Sequence, residues 1–482
     1  MRDYILLFIN GREHRLRGED AFAPITDYLR YQTGLCGTKV VCSEGDCGAC
    51  SVLVGDLEGG KLRYRPVNAC IQYAYQLDCR HIVTVEGLKV DGVLNPLQES
   101  MVDCHGAQCG YCTPGFVVAM SYLFDEGKSL AENEIKDGLT GNLCRCTGYR
   151  SIIEAGLSVD AEAFKPVSEL YPDGPMVKAF SSCREEPAAI HFEGKSAYVP
   201  VTVEQTIEFR QEHPGALLVA GGTDVSVNLN KGRVELSTAI SLANVKGLSG
   251  IERKSHGGRD YVVVGASVTL KELEEYMAGL EPEFDYILWV FGSPQIRNAG
   301  TLAGNIANGS PIADTTPYLL AMDAEVEVQG REGSRRISFN ELYTGYKKLS
   351  LKPDEIITRI HVPLPGEGEL LRLYKISRRQ HLDISAFTAA IKIELDGDLI
   401  KSASVAYGGI AEVVKRLDAV EGVLVGQPFS LATFRQAAEM ARKQVDPISD
   451  VRGSRDYRQQ LAENIMLKFY YETADERELV CP

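Results

Sequence analysis

At 482 residues the chain is long enough for roughly three domains of about 150 residues, each with its own core, which excludes a single small module. Apolar residues make up 44% and charged residues 24%, with 46 Gly and only 20 Pro, the composition of a chain that folds rather than a disordered or collagenous one. Sixty-six Asp and Glu against 51 Lys and Arg leave a formal charge of -15, which argues against a wide phosphate-neutralising surface and hence against nucleic acid as a partner.

In chain order, the apolar run Ile5-Leu6-Leu7-Phe8-Ile9 is too short for a secretory segment and is followed at once by Asn10-Gly11-Arg12, so it reads as a strand entering a turn. No apolar run approaches the roughly 18 residues of a membrane span, and the expectation is a cytoplasmic protein with no membrane partner. Further strands are expected at 51–54, 62–64 and 81–85, and a helix at 26–31. From Asn95 the texture turns helical. Asn95-Pro96 and Thr113-Pro114 read as helix starts, Ser151 with Glu154 as a capping box, and 130–139 as an amphipathic stretch, which together predict a small four-helix bundle. Between 161 and 195, Pro166, Pro172, Pro175 and Pro187 punctuate a segment without clear apolar faces, read as a linker. Thr202 then opens a helix, and a strand at 217–220 runs into Gly221-Gly222-Thr223-Asp224. A last region from about 370 holds a strand at 371–376 and helices at 434–443 and 457–471. The expected division is 1–84, 85–160, a linker at 161–195, 196–367 and 368–482, a multidomain α+β protein.

Cysteine placement carries the chemistry. Eleven of 13 cysteines precede residue 150: Cys36, Cys42, Cys47, Cys50, Cys70, Cys79, Cys104, Cys109, Cys112, Cys144 and Cys146. Such crowding in a chain without secretory features points to metal ligation rather than a disulfide framework. Cys42-x4-Cys47-x2-Cys50 followed by Cys70 has plant-type [2Fe-2S] spacing, and Gly45 and Gly48 let the loop wrap tightly. Spacing alone accepts either Cys70 or Cys79 as the fourth ligand. A zinc knuckle is the competing reading, weakened by the missing second pair. Cys109-x2-Cys112 and Cys144-x-Cys146 form a second set of four, for which zinc, a second cluster and a redox disulfide all stay open on spacing alone. Cys36, Cys79, Cys104, Cys183 and Cys481 carry no assignable role.

No G-x-G-x-x-G or P-loop signature occurs. The remaining phosphate-binding candidates are Leu218-Val219-Ala220-Gly221-Gly222-Thr223-Asp224-Val225 and Thr301-Leu302-Ala303-Gly304-Asn305, where small residues let backbone amides approach an anion.

Three long motifs make a family resemblance specific: Gly37-Thr38-Lys39-Val40-Val41-Cys42-Ser43-Glu44-Gly45-Asp46-Cys47-Gly48-Ala49-Cys50, Gln108-Cys109-Gly110-Tyr111-Cys112-Thr113-Pro114-Gly115, and Gly141-Asn142-Leu143-Cys144-Arg145-Cys146-Thr147-Gly148-Tyr149-Arg150. They resemble the iron–sulfur region of the xanthine dehydrogenase family of molybdenum hydroxylases. The 218–225 and 301–305 segments, with Phe291, Gln295-Ile296-Arg297-Asn298-Ala299-Gly300 and Ser310-Pro311-Ile312-Ala313-Asp314, resemble that family's FAD-binding domain.

The resemblance implies a β-grasp ferredoxin-like domain with one [2Fe-2S] cluster on Cys42, Cys47, Cys50 and Cys70, and a four-helix bundle with a second on Cys109, Cys112, Cys144 and Cys146. It further implies an α+β FAD-binding domain and a small α+β C-terminal domain. The FAD diphosphate would lie against 218–225 and 301–305, with Asp314, Ile357 and Lys375 near the cofactor; Lys375 would stabilise charge on reduced flavin, unless it is a solvated strand end. Val41 stands where the family usually has Gly, so its backbone must avoid positive φ.

By the same resemblance no catalytic residue lies on this chain. A large partner subunit would hold the molybdenum cofactor, with Gln108 facing it, in a heterotetramer of two small and two large chains. Electrons from oxidation of hypoxanthine or xanthine to urate would pass through both clusters to FAD and then to NAD+. An equivalent subunit of an aldehyde or N-heterocycle dehydrogenase is the alternative. A stand-alone iron–sulfur flavoprotein reductase and a zinc-stapled scaffold are two more.

Overall fold

A computed structural model describes residues 1–125 and 128–474, and Cys481 lies outside the described residues. The chain forms two compact units. The first is Met1–Lys246 with Gly292–Gly300, and the second is Gly247–Phe291 with the chain from Thr301 onward.

In the first unit the strand Ile5–Ile9 is an inner strand of a five-stranded mixed sheet, antiparallel to Arg12–Leu16 and parallel to the central Arg80–Val83, with Ser51–Glu58 and Lys61–Asn68 completing the order. Ile25–Asp27 continuing into the wider turn Tyr28–Gln32 supplies the covering helix, and this is the β-grasp arrangement. All five side chains of Ile5–Ile9 are buried, because one face meets Ile25 and Leu29 while the other meets the helical region.

His81, on the last strand of this sheet in chain order, is buried and accepts from the Gly11 N–H at Nε2 (3.0 Å) while Nδ1 meets the Tyr64 hydroxyl at 2.7 Å. Burial pushes its pKa down to about 3. The folded protein therefore keeps His81 neutral, whereas the unfolded chain takes up a proton below about pH 6.5. The stabilisation is complete above that pH and is lost as pH falls toward 3, at about 1.4 kcal/mol per unit. Replacing His81 with Phe should flatten this slope: between pH 7 and 5, urea unfolding should show the native protein losing about 2 kcal/mol more than the variant.

Four helices follow: Pro96–Asp103, Thr113–Leu123, Glu132–Gly138 and Arg150–Leu157. Asn95 caps the first reciprocally, its Oδ1 accepting from Gln98 N at 2.8 Å and its N–H donating to Gln98 Oε1 at 3.0 Å. Two expected starts are corrected. Thr113 is the first helical residue rather than a cap, with Cys112 at the cap position. Ser151 is also inside its helix, which begins after Tyr149 in a left-handed conformation (φ 68°), and Glu154 pairs with Arg150 at 2.8 Å instead of closing a box.

The expectation of unpatterned chain across 161–195 is corrected as well. Pro166 and Pro175 lie at the starts of Val167–Leu170 and Gly174–Cys183, where a missing N–H costs nothing, and so begin helices rather than interrupt the chain. Met176, Phe180 and Cys183 are buried in the bundle's core, with Phe180 edge-on to Phe8 at 5.5 Å. A second sheet in this unit has the order Ala188–Phe192, Lys195–Val199, Thr238–Ser241, Leu217–Val219, with two parallel pairs. Thr202 caps the helix Val203–Glu212 as expected, and Val225–Asn230 follows the Gly221-Gly222 turn.

The second unit carries an antiparallel sheet of Ile251–His256, Arg259–Gly265, Ile356–Pro363, Glu325–Gly330 and Gly333–Ser338. A further antiparallel sheet, led by Glu369–Ile376, Phe387–Asp396 and Leu399–Gly408, buries one face under Leu431–Gln444 and Arg455–Thr473. Among the described residues no helix is long and apolar enough to cross a membrane.

Candidate functional site

The first thiol constellation is built on the loop that precedes the strand Ser51–Glu58 and on the turn Ala69–Ile71 after the strand Lys61–Asn68. Antiparallel pairing puts Ser51 opposite Asn68, which brings Cys50 and Cys70 together from opposite ends of the hairpin. Cys42 lies close enough to Cys47 and Cys70 to influence their ionisation, and Cys70 to Cys50, so the four thiols neighbour one another. Contacts with Cys47 and Cys70 hold Cys42 far below the ordinary thiol range, while contact with Cys42 pushes Cys47 and Cys70 up. Loss of protons from such a group is what a positive metal centre supplies.

The loop backbone is as tight as its glycines suggest. Gly45 (φ 81°) and Gly48 (φ 67°) are left-handed, and so is Ser43 (φ 56°); Val41 is not, as its side chain requires. A Cβ on Gly48 would lie 2.3 Å from Gly141 O. Asn68 Nδ2 donates to Gly45 O at 2.7 Å.

Cys79 takes no part in this group. It contacts Cys183 and donates to Asp78 Oδ2 at 3.5 Å, buried in the core away from the loop. Cys36 and Cys104 are likewise outside both sets, with Cys104 Sγ 3.6 Å from Ser158 Oγ.

The second constellation lies where the helices Thr113–Leu123 and Arg150–Leu157 begin. Cys146 Sγ is 3.5 Å from Cys109 Sγ, and Cys112 contacts Cys144. Two thiolates on one tetrahedral metal, each with a bond of about 2.3 Å, lie about 3.8 Å apart, so the Cys109–Cys146 spacing fits a shared metal ion. Burial opposes ionisation of Cys144, but hydrogen bonds from Thr147 bring it down to about 7, with the Thr147 hydroxyl at 3.2 Å. The backbone N–H of Tyr111 lowers Cys109. Among the described residues no three His, Cys, Asp or Glu side chains converge as they would around one metal ion. Pairs of thiols are instead the donor set of a two-iron centre, two thiolates to each iron.

The two constellations touch through the backbone. The Leu143 N–H, next to Cys144, donates to Cys47 O at 3.0 Å, and Asn142 Nδ2 donates to Gly48 O at 3.1 Å. Gln295 locks the junction from the 292–300 segment, its Nε2 donating to Asn142 Oδ1 at 2.8 Å and to Ser51 Oγ at 3.3 Å. Asn298 Nδ2 donates to Pro66 O at 2.9 Å. These supporting amides carry no motif of their own.

The 218–225 segment belongs to the first unit. Its glycines answer to packing within the chain: a Cβ on Gly221 would lie 1.7 Å from Ala299 O, and Gly222 (φ 72°) would meet Gln76 Nε2 at 2.0 Å. Gln72 Nε2 holds Gly221 O at 2.9 Å. Tyr73 N and Ser226 Oγ both donate to Gln76 Oε1, which leaves Nε2 buried beside Gly222 without a hydrogen-bond partner among the described residues. An orphaned donor next to a glycine turn fits a ligand rich in acceptor oxygens.

In the second unit Thr301 caps the helix Leu302–Asn308, its hydroxyl accepting from Gly304 N at 2.9 Å, and Asn305 Oδ1 accepts from Thr315 Oγ1 at 2.6 Å. Lys375 is no solvated strand end, since its side chain is 3% exposed. Its Nζ pairs with Asp314 Oδ2 at 2.8 Å and donates to Val290 O at 2.8 Å, next to Phe291, while Ser385 Oγ donates to Asp314 Oδ1. Ile357 is buried on the strand Ile356–Pro363. A charged lysine matched by one carboxylate forms a closed, neutral group in this unit.

Three family profiles match the chain: "[2Fe-2S] binding domain" over 84–157, "FAD binding domain in molybdopterin dehydrogenase" over 191–365, and "CO dehydrogenase flavoprotein C-terminal domain" over 372–473. The xanthine dehydrogenase of Emericella nidulans is 29% identical over 538 residues, covering 99% of this chain and 39% of that protein. This chain thus spans about 40% of the length of the curated relatives it matches. Among solved structures, reconstituted CO dehydrogenase from Oligotropha carboxidovorans superposes with a TM-score of 0.53 at 26% identity, over 58% of this chain and 96% of that one. Quinoline 2-oxidoreductase from Pseudomonas putida 86 gives 0.54 at 26%, over 60% and 99%.

Proposed function

We propose, for a chain that is the iron–sulfur and FAD electron-transfer module of the molybdenum hydroxylase family, that it serves as the small subunit of a xanthine dehydrogenase. In this reading Cys42, Cys47, Cys50 and Cys70 hold one [2Fe-2S] cluster, and Cys109, Cys112, Cys144 and Cys146 the other. The FAD-contacting residues proposed are 218–225 in the first unit and, in the second, Phe291, 301–305, Asp314, Ile357 and Lys375. When bound, the clusters carry electrons singly and the flavin gathers two and returns them as hydride, here to NAD+. The chain's own part is to fix the relay. Leu143 and Asn142 tie one thiol set to the other, and Gln295 closes the junction. Asp314 pairs with the buried Lys375 side chain and holds it in place.

The observation that carries this reading is the direct backbone bond between the two cysteine segments, Leu143 N–H to Cys47 O at 3.0 Å, because single-electron transfer needs its centres close and rigidly spaced. The purine assignment is supported by coverage. Relatives named xanthine dehydrogenase match 96–99% of this chain, both cysteine regions included, whereas the CO and quinoline enzymes match 58–60% of it with chains almost wholly covered. The substrate would be oxidised in the cytoplasm on a larger molybdenum-bearing partner, two copies of each chain making the complex. Likeness to the CO and quinoline enzymes keeps one second reading, the same role beside another substrate.

The assembly isolated from its native source should contain about four iron atoms and one FAD per copy of this chain, with molybdenum in a larger co-purifying chain. It should reduce NAD+ faster with hypoxanthine or xanthine than with aldehydes, quinoline or CO. Preference for one of the latter would establish the second reading; an active lone polypeptide free of molybdenum, or a colourless protein, would overturn both.

A further inference from the structure

The short helix Val225–Asn230 starts at the Gly221–Asp224 turn and ends against the loop that carries Cys42 and Cys47. Asn230 uses its entire carboxamide there. Nδ2 donates both to Ser43 O (3.0 Å) and to Cys70 O (2.8 Å), and Oδ1 accepts from the Tyr73 hydroxyl (2.9 Å). One side chain thereby fixes the backbone beside Cys42 relative to the backbone of Cys70, whose thiols are in contact. Lys231 adds a donor to Cys42 O at 3.2 Å and an ion pair with Glu44 Oε2 at 3.0 Å. Ser43, between these anchors, holds a left-handed φ of 56°, a conformation that persists in a non-glycine residue only where its surroundings impose it. Both anchoring side chains come from 157 to 189 positions along the chain, outside the β-grasp sheet itself.

We propose that Asn230 and Lys231 are positioning residues for the centre on Cys42, Cys47, Cys50 and Cys70, and that they raise its reduction potential from the same segment that presents the flavin turn. The inference rests on the proposed ligation by those four cysteines. Reduction adds one negative charge to a thiolate-bound centre, so a nearby ammonium favours the reduced form, and so do donors that draw charge from the Cys42, Ser43 and Cys70 carbonyls. Lys231 is 34% exposed and paired to Glu44, which weakens its share through screening. Asn230, satisfied at every polar atom, controls geometry as well as charge.

The test is an EPR-monitored redox titration of the purified full-length protein, with iron counted in each sample and the centre on Cys109, Cys112, Cys144 and Cys146 as internal reference. Asn230→Asp keeps the acceptor for Tyr73 but removes both donors. It should make reduction of the first centre about tenfold less favourable, ~59 mV for one electron, and leave the reference unmoved. Lys231→Gln should shift the first centre in the same direction by less, and Lys231→Arg should restore it. Unmoved potentials in Asn230→Asp and Lys231→Gln, with iron intact, overturn the inference while leaving the cluster assignment standing. If Asn230→Asp loses iron, Lys231→Gln decides, and an unmoved potential there is equally fatal. A wild-type protein showing only the reference centre overturns the ligation and this inference together.

Discussion

Cys70→Ser is expected to remove one EPR-active centre and about half the iron, from about four atoms per chain to about two, whereas Cys79→Ser should leave both centres in place. The two thiols are separated by only eight residues in sequence and both are buried, yet their surroundings differ in kind. Cys70 sits in the turn Ala69–Ile71, within contact of Cys42 and Cys50. Cys79 is left-handed at φ 60°, faces Cys183, and its carbonyl is held by Arg184 and Arg80. A serine at 79 places a hydroxyl where a weakly polar thiol packed, which should cost about 1–3 kcal/mol of stability without touching iron. EPR of the dithionite-reduced variants with parallel iron analysis separates the two outcomes. Loss of a centre in Cys79→Ser with both retained in Cys70→Ser would transfer the fourth ligand to Cys79.

The second large effect is expected at Gly115. A Cβ there would lie 2.1 Å from Gly48 O and 3.0 Å from Ala49 Cα, with rigid backbone on both sides. Neither partner can retreat cheaply: the loop is pinned by Asn142 and by the Leu143-to-Cys47 bond, and Gly115 is in the first turn of the helix Thr113–Leu123. Gly115→Ala should therefore destabilise the first unit by about 3 kcal/mol and push the two cysteine segments apart. Chemical unfolding followed through the visible absorbance of the bound iron measures the first effect. Weaker magnetic interaction between the two reduced centres, seen as narrowed EPR lines, measures the second. Wild-type values in both would show that the close approach is not part of the relay.

Much of this could be read from the chain alone, because the informative signals were local. Cys42-x4-Cys47-x2-Cys50 and the Asn95-Pro96 cap each act within a few residues. The strand at 5–9 announces itself by an unbroken apolar run, since both faces of the β-grasp sheet are covered. Local signals also misled. Ser151 and Glu154 have the composition of a capping box, but Tyr149 turns left-handed, donates its N–H to Thr147 Oγ1 and lets the helix start one residue earlier than Ser151. Prolines in 161–195 suggested a linker because Pro most often ends regular structure, yet two of them stand where helices tolerate it. The supports of the site were out of reach. Asn142, Asn230, Gln295 and Asn298 are ordinary amides whose partners lie 94 to 244 positions away, and no spacing rule connects them. Lys375 was legible as a residue near the cofactor only through the family resemblance, with a solvated strand end as the alternative; its burial and its pairing with Asp314 come from the fold.

The membership of 292–300 in the first unit has a practical corollary for dissecting the molecule. The polypeptide passes from one unit to the other three times, after Lys246, after Phe291 and after Gly300. A recombinant fragment ending at 246 would hold all eight candidate cysteine ligands but would lack the nine-residue plug that brings Gln295 to Asn142 and Asn298 to Pro66. Such a piece should bind iron poorly and aggregate, and supplying the plug on a short tether fused after Lys246 is the simplest way to make the iron–sulfur half stand alone.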